Sequence, residues 1–171
     1  DRHFMLKHFL RLSAATLILA SCATAPQTPA EMRSFSHALL EKSSVSVSRH
    51  SGAVTSALKR GAERCLNTTS EQSFARATQF GGHTTTIRHY YDATVRRTGS
   101  GRAELMIYKT TTGAITPGAK DGRYLAYLVD VIPARNGTQL NIYGGKIGYD
   151  DLNTSIVRWA KGGAMRCPTM P

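Results

Sequence analysis

Acid is scarce in this chain. Its 171 residues hold 11 aspartates and glutamates against 22 lysines and arginines, a formal charge of +11. Three cysteines are present and none stands in a Cys-x-x-Cys arrangement, which excludes the usual dithiol redox motif. No His-x-x-x-His pair and no Gly-x-Ser-x-Gly elbow occurs, so neither a zinc-hydrolase helix nor a serine-hydrolase turn can be drawn. No apolar run reaches the roughly 20 residues that a membrane-spanning helix needs. The apolar and charged fractions, 41% and 19%, are nevertheless those of a globular protein, which excludes wholesale disorder.

A largely apolar run from Leu12 to Ala20 stands behind Lys7 and Arg11 and is followed by Ser21 and Cys22. A basic start, a short apolar stretch and a small-residue zone read as a signal peptide over 1–21. Asp1 to Phe4, ahead of Met5, do not fit a natural start and carry no functional reading. Leu19-Ala20-Ser21-Cys22 resembles the lipobox of small bacterial envelope lipoproteins. The resemblance covers residues 5–22 and implies a diacylglycerol on the Cys22 thiol, cleavage before Cys22 and acylation of its amine. Ala23, where an aspartate would mark inner-membrane retention, points to the outer membrane and a periplasm-facing domain. The membrane is therefore the first expected partner, through the lipid on Cys22.

Three basic residues and one acid precede Cys22, so the charge from there onward is still +9. Such a surplus favours anionic partners, lipopolysaccharide or peptidoglycan among them. Nucleic acid would satisfy the same physics, but an exported protein does not ordinarily meet it.

Residues 22–34, with Pro26 and Pro29 among alanines and threonines, read as a lipidated tether with little to bury. A single domain over 35–171 follows. Phe35 to Leu40 suggests a helical turn, and Ser44 to Ser48 alternates like a strand. Val54, Ala57, Leu58, Gly61, Ala62, Cys65 and Leu66 line one face of a helix. Asn67 to Gly82 is polar and reads as a loop. Strands are expected over 84–95, 103–108, 124–132 and 138–143, the third of them central, with a tight hairpin at Asn136-Gly137. A second helix runs from about Asp150 to Gly162, its apolar stripe being Leu152, Ile156, Trp159 and Ala160. The expected fold is α+β: an antiparallel sheet of four to five strands with two helices on one face, in the order β-α-β-β-β-β-α. That order is similar to helix-grip domains of some outer-membrane assembly lipoproteins.

With Cys22 lipidated, Cys65 and Cys167 form an even pair in an oxidising compartment and are expected to be disulfide-bonded. Of the histidines, His83 and His89 would share one strand face, while His37 and His50 show no ligand spacing. Asp150-Asp151 suits a helix N-terminus better than a carboxylate pair, and Gly99-Ser100-Gly101 lacks the context of a phosphate cradle. No cofactor or metal is implied.

Basic residues cluster around the strands and their turns: Arg88, Arg96, Arg97, Arg102, Lys109, Lys120, Arg123, Arg135 and Lys146. With Tyr90, Tyr91, Tyr108 and Tyr124 they suggest an open sheet face for an anionic, ring-bearing ligand. Arg88, Tyr90, Arg97, Arg102, Tyr108 and Arg123 are its foremost candidates. The leading functional expectation is a non-enzymatic envelope lipoprotein, an accessory module that meets a protein partner. Binding of an anionic envelope ligand comes second. A hydrolase comes last, because no nucleophile and base can be named.

Overall fold

The computed structural model describes residues 24–35, 38–78, 81–112, 119 and 121–171. The signal peptide, Cys22, His37, Lys120 and the Pro117-Gly118 turn lie outside them, as do the side chains of 76–78 and 81–83, His83 among them.

Six strands form one antiparallel sheet: β1 (Leu40–Val47), β2 (Thr68–Thr78), β3 (Gly81–Gly99), β4 (Arg102–Thr112), β5 (Arg123–Ala134) and β6 (Gly137–Gly145). The spatial order is β1-β6-β5-β4-β3-β2. Strands β2 to β6 are joined hairpin by hairpin. Helix α2 (Ser51–Gly61), continued by a π-helical turn (Ala62–Leu66), carries the chain from β1 at one edge across the sheet to β2 at the other. Helix α1 (Pro29–Ser34) precedes β1, and α3 (Asp150–Ala160) follows β6.

The α+β class and the antiparallel sheet therefore stand, with the strand count corrected to six. The added strand is β2, in the segment whose polarity suggests a loop. It pairs with β3 from Thr68↔Tyr91 to Thr78↔Gly81. Its side chains from Thr68 to Ala75 are exposed or half-buried, so no apolar alternation marks it, and threonines with a backbone ladder suffice at an edge. Strand β1 also begins earlier than its alternating serines suggest, at Leu40.

Strand alternation divides the sheet into two faces. On the inner face, Ala103, Leu105 and Ile107 of β4, Tyr127, Val129 and Val131 of β5, and Leu140 and Ile142 of β6 join the stripes of α2 and α3 in one core. Strand β5 is buried from Leu125 to Val131, as its apolar run predicts. Helix α3 packs chiefly against α2. Gly61 makes this possible, since a Cβ there would overlap the Trp159 ring.

The arrangement of two helices on one face is incomplete, because the other face is covered too. A bulge at Ala126 reverses the alternation of β5, pairing Ile107 with Tyr127 but Tyr108 with Leu125. Leu125 and Leu128 thereby join Met106 and Tyr143 in a second cluster beneath Met32 of α1. Residues 26–34 are thus no free spacer. Met32 is buried, the Leu125 N–H donates to the Pro26 carbonyl at 2.7 Å, and Thr28 and Glu31 close a capping box around the first turn of α1. Of the helical turn expected at 35–40, residues 36–37 lie outside the described residues, and the helix found in this part of the chain is Pro29–Ser34.

The hairpin at Asn136-Gly137 is present. Gly137 has φ of +139°, and a Cβ there would strike the Val47 carbonyl, so both its freedom and its bareness are used. Gly144 and Gly145 end β6, after the strand expected over 138–143. They leave room for Tyr127 and Tyr149, whose rings stack 5.8 Å apart. Cys65, at the end of the helical stripe, is bonded to Cys167, which pins the C-terminal segment to α2.

Candidate interaction surfaces

Four of the six foremost ligand-binding candidates, Arg88, Tyr90, Tyr108 and Arg123, project from the outer face. They belong to β3, β4 and the start of β5, where the pairing brings Tyr90 opposite Thr110 and Asp92 opposite Tyr108. Their charges are already matched. Arg88 pairs with Glu71 of β2 at 2.5 Å, and this holds the Arg88 pKa above its ordinary value. Arg123 pairs with Asp92 at 2.9 Å and lies over the Tyr108 ring, 3.8 Å from its centroid. The Tyr108 hydroxyl donates to the Gln27 carbonyl at 3.2 Å. Tyr90 remains open to solvent.

Arg97 and Arg102 stand apart from that group, Arg102 at the far end of the outer face beside Arg33 and Glu104, and Arg97 opposite the inner-face Ala103. They flank the β3–β4 turn, at the end of the sheet where Arg135 flanks the β5–β6 turn, and among the described residues none of the three makes an ion pair. Among the four candidate arginines, the unmatched charge therefore stands at the β3–β4 turn and the matched charge on the sheet. Sequence alone does not show this, because the neutralising partners are 17 and 31 residues distant in the chain.

A charged cluster that no sequence motif announces ties α1 to the sheet. Arg33 donates to both carboxylate oxygens of Asp130, at 3.0 and 2.7 Å, and also to Glu104. Arg96 reaches the second Glu104 oxygen at 2.8 Å. The Glu104 and Asp130 side chains are 8% and 12% exposed, so neither sits comfortably without a cation. Burial alone would raise the Glu104 pKa, but hydrogen bonds and charge from Arg96 and Arg33 outweigh it and hold it below the ordinary carboxylate value. Between Arg33 and the turn-end residues Thr98 and Arg102 lies a pocket of about 310 Å³.

This cluster makes the docking of α1 acid-sensitive. A carboxylate with a depressed folded-state pKa adds stability above its unfolded pKa, and that increment is lost as pH falls through the folded value. Arg33→Ala strands Asp130 and half of Glu104, a change that in a fully buried pair costs about 3–5 kcal/mol. Arg33 is 36% exposed, and solvent screening reduces the expected loss to about 1–3 kcal/mol at neutral pH. In acid below the folded value of Glu104 the loss should shrink, since that carboxylate is then neutral in the wild type as well. Urea unfolding at neutral and at acid pH checks this, and an equal cost at both would assign Arg33 a packing role only.

At the opposite end, α1 and the strand ends enclose an apolar groove of about 540 Å³, lined by Ala25, Pro26, Met32, Phe35, Leu40, Tyr124, Leu125 and Tyr149. Leu39 and Ile147 stand exposed at its rim, joined by the hydrogen bond from the Lys146 N–H to the Leu39 carbonyl.

The inner face carries a polar group beyond the core. His89 is buried, with Nδ1 3.1 Å from the Thr111 hydroxyl. Burial, with the charge of Lys109, holds its pKa below the ordinary imidazole value. Burial likewise lowers Lys109, which lies over the Tyr91 ring and donates to the Pro171 carbonyl at 2.9 Å, and it pushes the Tyr91 phenol up to about 12. His50 is a helix cap, its Nδ1 accepting from the Gly52 N–H. Asp150 and Asp151 occupy the first turn of α3, and Asp151 also accepts from the Thr169 N–H at 2.7 Å. Gly99, Ser100 and Gly101, all with positive φ, form the β3–β4 turn. Among the described residues, no three histidine, cysteine or acidic side chains are grouped to hold a metal ion. Comparison with protein-family models, with curated proteins and with solved structures returned no match.

Proposed function

We propose that this chain is a lipid-anchored envelope lipoprotein, held at the outer membrane and facing the periplasm, whose domain is a non-enzymatic accessory module for a protein partner. The observation that carries the anchor is the division of the three cysteines. Cys65 and Cys167 are joined to each other, and the cysteine outside that pair is Cys22, at the close of the lipobox-like Leu19-Ala20-Ser21-Cys22. The accessory role draws support from the outer sheet face. Its arginines are matched by Glu71 and Asp92, and Tyr90 and Tyr108 stand among them, giving a mixed polar and aromatic surface suited to a protein.

A second reading rests on Arg97, Arg102 and Arg135. These unmatched charges at the turn end favour an anionic envelope ligand there, lipopolysaccharide or peptidoglycan, over one lying on the sheet.

Cys22→Ser is expected to abolish lipid attachment and release the protein from membranes. Fractionation and mass measurement of the peptide containing position 22 read both, and full membrane retention of the unlipidated variant would sink the anchor. In-cell cross-linking of the wild-type protein tests the role. Capture of one discrete protein supports the accessory module, while capture of lipopolysaccharide or peptidoglycan fragments alone transfers the assignment to the turn-end arginines.

A further inference from the structure

The groove at the α1 end bears directly on how the domain sits. Its wall begins at Ala25 and Pro26, and Pro26 is fixed to β5 by the hydrogen bond from Leu125. Ala25 stands only three positions after Cys22, a reach of about 10 Å at full extension. A lipid on Cys22 therefore cannot lie far from this groove.

The surface there has the chemistry of a membrane contact. Ile147 is 79% exposed and Leu39 is 59% exposed, on adjoining stretches of backbone. An exposed aliphatic pair above an apolar groove is unusual beside the other described surface, where the remaining large exposed apolar residues are Phe74 on the edge strand β2 and Tyr90 on its neighbour β3. Lys146 lies between Leu39 and Ile147, where an ammonium would meet lipid phosphates. The unmatched Arg97, Arg102 and Arg135 occupy the other end of the strands, roughly 35–40 Å away along the 12 residues of β5. One end of the domain is apolar and tied to the anchor, and the other is charged and distant from it.

We propose that the Leu39–Ile147 end of the domain rests on the lipid bilayer, with both side chains at headgroup depth and acyl chains against the groove. This rests on the anchor reading above and deepens it. The attachment is then a lipid together with a protein face, and the domain is held in one orientation with its arginine-bearing turns directed away from the membrane. A flexible tether would leave the orientation free. The docked Pro26 and the latched Arg33 remove that freedom.

The test uses the full chain, processed in a lipoprotein-competent bacterium and reconstituted in phosphatidylethanolamine–phosphatidylglycerol vesicles. A bimane fluorophore is placed at Ile147→Cys or Lys146→Cys, and at Asn136→Cys in the distant hairpin as control. Quenching by lipids carrying a nitroxide just below the headgroup is measured, and the mass of the Cys22 peptide is determined on the same samples. With Cys22 lipidated, quenching at 147 and 146 is expected to exceed that at 136 by about threefold or more, because a face seated about 5–10 Å into the interface lies within reach of the nitroxide. Equal quenching at both ends of a lipidated protein overturns the docking and leaves the anchor intact. A shielded but unquenched probe at 147 also overturns it, assigning the groove to a second copy of the chain. If Cys22 carries no lipid, the anchor reading fails by itself. Quenching at 147 on added vesicles would then still support the bilayer-binding face, and its absence would overturn that too.

Discussion

Replacement of Cys65 and Cys167 together by alanine is expected to lower the unfolding free energy by about 4–5 kcal/mol, the chain-entropy value for a closed loop of 102 residues. A domain of this size is ordinarily stable by about 5–15 kcal/mol, so the change should take it close to its threshold. The entropy argument is reinforced by where the bond lies. Beyond Gly163 the chain has no regular structure, and the contacts that hold it include Thr169 to Asp151 and Lys109 to Pro171. Without the bond those contacts must order the C-terminal segment unaided. Urea unfolding of the alanine pair, and of the wild type with and without reductant, measures the effect. Superimposed curves for oxidised and reduced wild type would show that the cross-link contributes nothing.

The second large effect lies where α2 crosses α3. Trp159→Ala removes a fully buried indole and is expected to cost about 3–5 kcal/mol. Gly61→Ala is the more discriminating change. On helix propensity alone it should stabilise by about 1 kcal/mol. Its new methyl group, however, would overlap the six-membered ring of Trp159, which core neighbours on both helices and the sheet surround. Overpacking of this kind costs about 1–3 kcal/mol, so a net loss is expected. The double variant should lose less than the sum of the single changes, because the cavity left by the indole admits the methyl group. Gain of stability in Gly61→Ala alone, or strict additivity in the double variant, would contradict the packing described for these helices.

Local chemistry is what the sequence made legible. The α2 stripe from Val54 to Leu66, the α3 stripe ending in Trp159 and Ala160, the apolar β5 and the Asn136-Gly137 hairpin each announce themselves within a dozen residues. Each reflects a period or a turn requirement that does not depend on distant partners. The Cys65–Cys167 pairing was legible for a different reason, namely that assigning Cys22 to lipid leaves no alternative partner. Strand β2 was not legible. An edge strand exposed on both faces needs only a backbone ladder, and Thr68 to Thr78 carries no apolar alternation to betray it.

The site features divide along the same line. By itself the sequence determined the chemical inventory: a surplus of arginine and lysine, tyrosines among the strands, a lipobox-like segment ending in Cys22, and helices with one apolar face. Only the tertiary structure decided which charges are free. Arg88 and Arg123 meet Glu71 and Asp92 across strand pairs, Arg33 reaches Asp130 and Glu104 across 97 and 71 residues, and Arg97 and Arg102 are left open at a turn. It also converted the Pro26–Ser34 segment from an expected spacer into a docked helix, through the Ala126 bulge that turns Leu125 toward Met32. Periodicity and turn propensity are properties of neighbours along the chain and can be read there. Charge neutralisation and burial depend on what strand register brings alongside, and register is settled only when the whole sheet has assembled.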